Sequence, residues 1–583
     1  MKYVKIYIAV AVLMVSVVSF TSCNDFLKEK PESSIGPDDV GDSDDAVDVW
    51  VTGVYNKWLN TAFLYDQFPL VLEKDNDYTS GPDWAMAYLG AGNFQNTASE
   101  CDVMWENLYQ LIERSNFAIK YISAMTNATE SYKNNALGEL YFQKAFAFFL
   151  LTRAYGEIPL PLKAVTDGED MNLPRESIPN VYAEIISLLE EAASLMYTID
   201  NSAYQKGHVS AGTAAGLLAK VYATMASGSL SNAQMTVRTG TATSTNGDEV
   251  TLTLPVSKTF TKDVVEGYES FDTQACYTNA AKWAKAVMDG DYGSYSLLSY
   301  SNLWNKSYRY ASEFMFSIET VSGNSDYHMG VGLYYNGVYN SSSRITTGHW
   351  LGNRYHWYAL FDSDDYRIVD GVQHRWVNEY QASYNGGFYY PNNAEYTLKA
   401  TGYDASGNKV ADPVSPYNDG LSYGYNLGYE CLAFTTKYAD VTDNTTKDQD
   451  APWPFLRYAD VVLVYAEAQN ELGNSSDAIT ALNLIRARAN ATLATTTGDG
   501  ALTTQLAIRS AIFEERAKEL ACEGDRRWDL LRWGIYLQAM NAIGGYDESG
   551  VYKTRTSKHL LYPLPTDEVN ANSSITTNNP GWN

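Results

Sequence analysis

The sequence predicts a mostly α-helical protein, built of helix pairs and carrying a loop-rich, partly β insert. Three observations lead there. A helical period of apolar residues runs through about 40–230, 270–290 and 455–540. From about 292 to 450 that period is lost, and stretches such as SYNGGFYYPNNAEY and SPYNDGLSYGYNLGYE alternate Tyr, Asn, Gly and Pro, as loops and short strands do. The segment from Thr236 to Thr261, TVRTGTATSTNGDEVTLTLPVSKTFT, reads as a β-hairpin turning at Asn246-Gly247.

In chain order, the first element is an export signal. MKYVKIYIAVAVLMVSVVSFTSC places Lys2 and Lys5 before an apolar run from Ile6 to Phe20, then small residues before Cys23. A run of fifteen residues is too short to span a bilayer comfortably, and this order is that of a cleaved leader over residues 1–22. Phe20-Thr21-Ser22-Cys23 resembles a bacterial lipobox, with Phe20 where leucine is usual; that resemblance makes Cys23 the lipid-bearing first residue of the mature chain. No later apolar run is long enough for a transmembrane helix, so membrane attachment is expected through lipid alone.

The helices come next. SECDVMWENLYQLIERSNFAIKYI sets Val103, Leu108, Leu111, Ile112, Ser115 and Ile119 at three- and four-residue steps. NNALGELYFQKAFAFFLLTRAYGEIPLP repeats the period until Gly156 and Pro159 stop it. After IPNVYAEIISLLEEAASLM comes SAGTAAGLLAKVYATMAS, whose small residues allow two helices to approach closely. Trp283, in AAKWAKAVM, sits at helical spacing as a core residue. In YADVVLVYAEAQNELGNSSDAITALNLIRARA, residues Ala468, Leu472, Gly473, Ala478, Leu482 and Ile485 are arranged much as in a tetratricopeptide unit.

The most charged stretch is ERAKELACEGDRRWDLLRWG, Glu515 to Gly534, with five acids and five bases. Ile508, Ala511, Ile512 and Leu520 share one face of the helix entering it, leaving Glu515 and Glu519 to water or to neighbouring bases. Gly524 is placed as a left-handed cap and Asp525 as the cap of the next helix; Trp528, Leu531 and Trp533 turn onto the first helix. Glu523 and Arg527 would face each other across the bend. This is a structural corner, not a carboxylate pair facing a cleft.

Composition removes several functions. The formal charge is −27, and −29 once residues 1–22, with two lysines and no acid, are gone. Nucleic acid is therefore a poor partner, since binding it needs clustered positive charge. Cys101, Cys276, Cys431 and Cys522 are too scattered for a zinc site or a disulfide framework and read as buried thiols. His208, His328, His349, His356, His374 and His559 form no close ligand pair. GAGNFQ at Gly90 and GVGLYY at Gly330 lack the third glycine of a dinucleotide loop, and G-x-S-x-G and the phosphate loop are absent. DNDYTSGPDW offers Asp75, Asn76, Asp77 and Asp83 as oxygens but lacks the glycine and distal glutamate of a calcium loop. No cofactor or metal is expected.

Five segments together resemble the SusD/RagB family of outer-membrane nutrient-binding lipoproteins. They are SCNDFLKEKPES, YFQKAFAFFLLTRAYGEIPLP, FLRYADVVLVYAEAQNELG, the corner itself, and LLYPLPTDEVNANSSITTNNPGW. The resemblance implies one SusD-like domain over 23–583, with four tetratricopeptide-like helix pairs supporting a loop-rich face. It implies a lipid-anchored protein on the outer membrane, facing outside, with Asp25 and Glu29 as a surface-export signal. It further implies a lid on a SusC-like TonB-dependent barrel, capturing an oligomer without cleaving it: a glycan in most relatives, a peptide in the RagB branch. The variable middle, about 292–450, is not covered.

A glycan site needs flat rings for the apolar faces of sugars and polar groups for the hydroxyls; aromatic side chains supply such area at low entropic cost. EKDNDYTSGPDWAMAYLGAGNFQ, a loop between helical segments, supplies Asp75, Asp77, Trp84, Tyr88 and Asn93. GHWLGNRYHWY in the insert adds Trp350, Arg354 and Trp357. Three other readings stay open on sequence alone: a peptide receptor, a surface glycosidase with two carboxylates facing one cleft, and a helical-repeat scaffold or adhesin without a small ligand.

Overall fold

The computed structural model describes residues 37–59, 68–97, 100–241, 243–245, 249–251, 253–324, 326–327, 330–340, 345–348, 350–376, 388–390, 402–403, 409–410 and 432–582. Cys23, Cys431 and the hairpin turn at Asn246-Gly247 lie outside them.

The protein is mainly helical with few, short strands. Ten helices carry the scaffold: α1 (Asp44–Trp58), α2 (Glu100–Ala124), α3 (Glu130–Tyr155), α4 (Ile178–Leu195), α5 (Ala211–Ser229), α6 (Thr273–Asp289), α7 (Tyr458–Glu471), α8 (Ser475–Arg488), α9 (Gln505–Glu519) and α10 (Arg526–Arg532). Successive helices from α2 to α8 pack on one another, and α9 packs on α7 and α8. Their ends are written in the sequence. Ser177 caps α4 with Pro179 in its first turn, Ser210 and Thr213 form a reciprocal capping box on α5, and Asp272 and Thr504 cap α6 and α9.

The second half of α3 is buried on nearly every side, which makes it the central helix, and its Phe142, Phe146 and Phe149 lie in the core. The small residues of α5 do what their size suggests. At Gly216 even a methyl group would come within about 3 Å of the side chains of Val461 and Met315, so the Val461 side chain of α7 lies directly on the backbone of α5. Trp283 on α6 is partly buried, its ring 5.8 Å from Tyr292. Cys101, Cys276 and Cys522 are buried, free thiols.

Six strands position the candidate site: β1 (Thr79–Ser80), β2 (Gln234–Thr239), β3 (Val256–Thr261), β4 (Phe314–Ile318), β5 (Gly352–Asn353) and β6 (Trp453–Arg457). The expected hairpin is present as β2 and β3, antiparallel from Gln234↔Thr261 to Thr239↔Val256. Met235 and Val237 of β2 pack with Phe513, Leu530 and Trp533 of the corner in a small second core. β4 pairs antiparallel with β6, and β1 with β5. The insert is less strand-like than its composition suggests: it also forms helical turns at Tyr300–Leu303, Val331–Tyr335, Tyr355–Tyr358 and Tyr366–Val369. Among the described residues no helix is long and apolar enough to cross a membrane.

The charged corner folds as a corner, but its pairings are not local. Cys522 (φ 62°) and Gly524 (φ 84°) turn the chain left-handed between α9 and α10. A side chain at Gly524 would strike Leu72, so the early loop fixes glycine here as much as the turn does. Asp525 does not cap α10 with its side chain; it accepts from Lys220 Nζ at 2.6 Å. Glu523 does not face Arg527 either. It accepts from Arg457 (2.7 Å) and Lys437 (2.5 Å), while Arg527 turns to Asp75. Glu515 and Glu519 are fully interior, bound by Arg367, Arg486, Arg457 and Arg488. Arg516 joins Asp460 to Asp529 in the same mesh. Charges this deep persist only when paired, because the desolvation of either ion alone is worth several kcal/mol.

Candidate functional site

The loop running from the helical turn Phe68–Glu73 to α2 carries five of the eight ligand candidates. Its first half is interior: every residue from Val71 to Ser80 is buried. Asn76 organises it, its Oδ1 accepting from the N–H groups of Tyr78 (2.8 Å) and Thr79 (2.7 Å) and its Nδ2 donating to the Glu73 carbonyl (2.6 Å). Glu73 in turn accepts from the Thr79 hydroxyl and from the Gly524 N–H of the corner; burial lifts its carboxyl to about 7 against those bonds.

Asp75 and Asp77, expected among the ligand contacts, are buried and paired to arginines within the protein. Asp75, 0% exposed, accepts from Arg527, from Arg555 (3.0 Å) and from the Tyr536 hydroxyl (2.6 Å). Burial pushes its carboxyl up, but Arg527 and Arg555 outweigh that and hold it below the ordinary value. Asp77 takes a bidentate pair from Arg526 at 2.8 Å on both nitrogens. Their carboxylates, offered by the sequence as calcium oxygens, are spent on arginines.

Arg354 and Trp357, expected as contacts in the insert, are likewise buried. β1 pairs with β5 through Thr79↔Asn353 and Ser80↔Gly352, and Arg354 follows directly: its N–H donates to the Tyr78 carbonyl (2.7 Å), Nη1 to the Asp77 carbonyl (2.9 Å) and Nε to Glu548 (2.7 Å). The Trp357 indole donates to the Ala517 carbonyl at 2.8 Å and packs on Phe361. Both side chains are buried and join the insert to the scaffold.

The second half of the loop comes to the surface. Gly81 passes so near the Trp350 carbonyl that a Cβ would lie 2.7 Å from it, and the helical turn Asp83–Met86 then presents Trp84, 56% exposed. The Trp84 ring meets that of Trp350, which is half-buried, edge to face, centroids 4.7 Å apart at 83°. Trp350 meets Tyr334 likewise, at 5.2 Å and 76°. The N–H groups of Trp350 and Leu351 both donate to the Tyr334 carbonyl, at 2.7 and 2.9 Å, so this edge of the cluster is fixed through the backbone. Tyr88 is 46% exposed and Asn93 is also outside; the Asn93 N–H donates to the Tyr88 carbonyl at 2.8 Å. Among the described residues no ring contact joins Tyr88 to the Trp84–Trp350 pair.

The structure thus brings together Trp84 and Trp350, leaves Tyr88 and Asn93 beside them on the same loop, and takes four candidates inside. It adds Tyr334, whose segment the sequence offered only as a failed dinucleotide loop; its double tyrosine in a Gly-rich stretch was the available signal. Three rings at near-right angles present flat apolar faces with polar edges, a surface suited to a ligand that is itself apolar on its faces and polar at its rim.

A paired-helix scaffold with this early loop and corner is a known type. A family model described as the SusD family matches residues 259–582, and one described as starch-binding associating with outer membrane matches residues 25–223. The first spans more than half of the chain, and the protein belongs to the SusD family. SusD-like protein P2 of Formosa agariphila is 23% identical over 98% of each chain. The crystal structure of a SusD homologue from Bacteroides thetaiotaomicron has a TM-score of 0.69 at 21% identity, covering 94% of this chain and 100% of that one. A laminarin-binding SusD-like protein gives 0.62 at 19% identity, over 92% and 99%. At such identities the solved structures speak for the fold.

Proposed function

We propose that this protein is a lipid-anchored outer-membrane protein, facing the cell exterior, that binds oligosaccharide or polysaccharide and passes it uncleaved to a SusC-like TonB-dependent barrel. On this reading residues 1–22 are the export signal, Cys23 bears the lipid, and 23–583 form one domain. The observation that carries it is the Trp84–Trp350–Tyr334 cluster, rings at the surface on a base locked by buried ion pairs. Rings held in advance lose little freedom when a sugar stacks on them. The outer-membrane association in the description of the model matching 25–223, and the laminarin binding of one structural neighbour, point the same way. Capture without cleavage is the reading favoured by the binding descriptions of its relatives, a laminarin-binding SusD-like protein and the starch-binding protein SusD of Bacteroides thetaiotaomicron among them.

The test is a set of native gels cast with laminarin, soluble starch, xylan, galactomannan and pectin, run with protein starting just after Cys23, with reducing ends assayed in parallel. Retardation without new reducing ends is expected. Release of reducing ends would make the protein an enzyme, and retention on peptides with none on glycans would make it a peptide receptor.

A further inference from the structure

We infer that Tyr546 and Tyr552 form a second aromatic station for the same ligand, so that the protein holds an extended neutral glycan at two places; this rests on the glycan reading of the Trp84 cluster. The two tyrosines are 62% and 43% exposed, pair across an antiparallel bridge, and set their rings 5.2 Å apart at 60°.

What sets this turn apart is the cost of building it. The residues between the rings include two acids, and Lys553 comes directly after; on an ordinary surface turn all three would stay in water. Here all three are buried. Asp547 Oδ1 accepts from the N–H groups of Ser549 (3.0 Å) and Val551 (2.9 Å), and its Oδ2 from the Ser80 hydroxyl (2.7 Å). Glu548 accepts from Arg354 Nε (2.7 Å) and the Tyr355 N–H (3.1 Å). Lys553 Nζ donates to the carbonyls of Thr79 (2.7 Å) and Asn76 (3.3 Å). Desolvating three charged groups is unfavourable unless each is paired or hydrogen-bonded, and here the partners of all three fix the geometry of the turn. That geometry is the outward display of two rings.

These contacts also say where the rings stand. Arg555 donates through Nη1 to the Tyr552 carbonyl (3.0 Å) and through Nη2 to the Gly90 carbonyl (2.7 Å), so Tyr552 lies one guanidinium away from the loop that carries Tyr88. The segment 545–555 therefore grips the early loop on both sides of Trp84, at 76–80 and at Gly90. Station and cluster rise from one rigid base, the arrangement in which a second contact on one long ligand gains most from effective concentration. The net charge of −29 that remains without residues 1–22 repels polyanions, which makes the fitting occupant a neutral glycan.

The experiment compares wild type, W84A and the double variant Y546A/Y552A on the same five polysaccharides, with titration of the trisaccharide of whichever is retained. Both rings are exposed, so the double variant should melt with wild type. The expected result is retention of a neutral polysaccharide weakened about tenfold or more in Y546A/Y552A, with trisaccharide affinity unchanged. Unchanged polysaccharide retention in that variant, alongside loss in W84A, overturns the second station and leaves the glycan reading standing. Preference for pectin over every neutral polymer overturns the choice of occupant. Retention of wild type by none of the five brings down the glycan reading, and the station with it.

Discussion

Within one loop, Lys74, Asp75, Asn76 and Asp77 are buried, whereas Trp84 and Tyr88 a few residues on face outward. Ordinary partition puts the charges in water and the rings inside. Here the polar half is paid for by partners: Arg526, Arg527 and Arg555 neutralise the acids, and the backbone of residues 76–80 is tied to β5, to Arg354 and to Lys553. That base is what allows Trp84 to stand exposed against Trp350 in a fixed geometry. Depth along this loop is set by the partners each residue finds in the closed fold, not by how ligand-like it looks in a row.

The comparison can be broken most forcefully at Asp75. Asp75→Ala leaves Arg527 and Arg555 buried without their shared partner, and should cost about 3–5 kcal/mol in urea unfolding; a loss below about 1 kcal/mol would mean the base is not held by these pairs. Trp84→Ala should do the reverse. Its stability should stay within about 0.5 kcal/mol of wild type, while glycan affinity falls by about 2 kcal/mol, roughly thirtyfold.

Acid tests the corner. Burial raises Glu514, but Lys518 and Arg238 outweigh it and hold the carboxyl at about 2; Glu515 and Asp529 are lowered as well by their arginines. A carboxyl whose folded value lies below its unfolded value stabilises fully above the unfolded value and loses that contribution as pH falls through the folded one. Melting temperature should therefore drop between about pH 4.5 and 2, and Glu514→Gln should make that drop smaller. Glu73, raised to about 7, acts with the opposite sign, losing stability as pH rises from about 4.5 to 7, so the difference between variant and wild type is the quantity to read. Smallest of all, Tyr88→Ala should weaken glycan binding by less than about 1 kcal/mol, the ordinary cost of a contact outside the central rings.

Local pattern was enough for the helices, because apolar spacing and caps lie within a few residues of each other: α2 to α5, the pair α7 and α8, and the bend at Gly524 all follow from it. It also pointed to Trp84 and Trp350 as candidate rings in two loops, without any means of seeing that they touch. What was not legible is partner choice over long separations. Asp75 finds Arg527 and Arg555, and Arg354 finds Glu548, through the closed fold. Arg354 and Trp357 look like surface residues in a Tyr- and Gly-rich insert until β5 is seen to pair with β1. Tyr546 and Tyr552 give no signal at all until the acids between them are known to point inward.

A double-mutant cycle on Trp84 and Trp350, read as affinity for the retained polysaccharide, tests most directly whether two distant loops make one binding face. One shared face predicts that either single alanine loses most of the affinity and that the pair loses clearly less than the sum, a coupling of about 0.5–3 kcal/mol. Strictly additive losses, or no loss in either single variant, would contradict it.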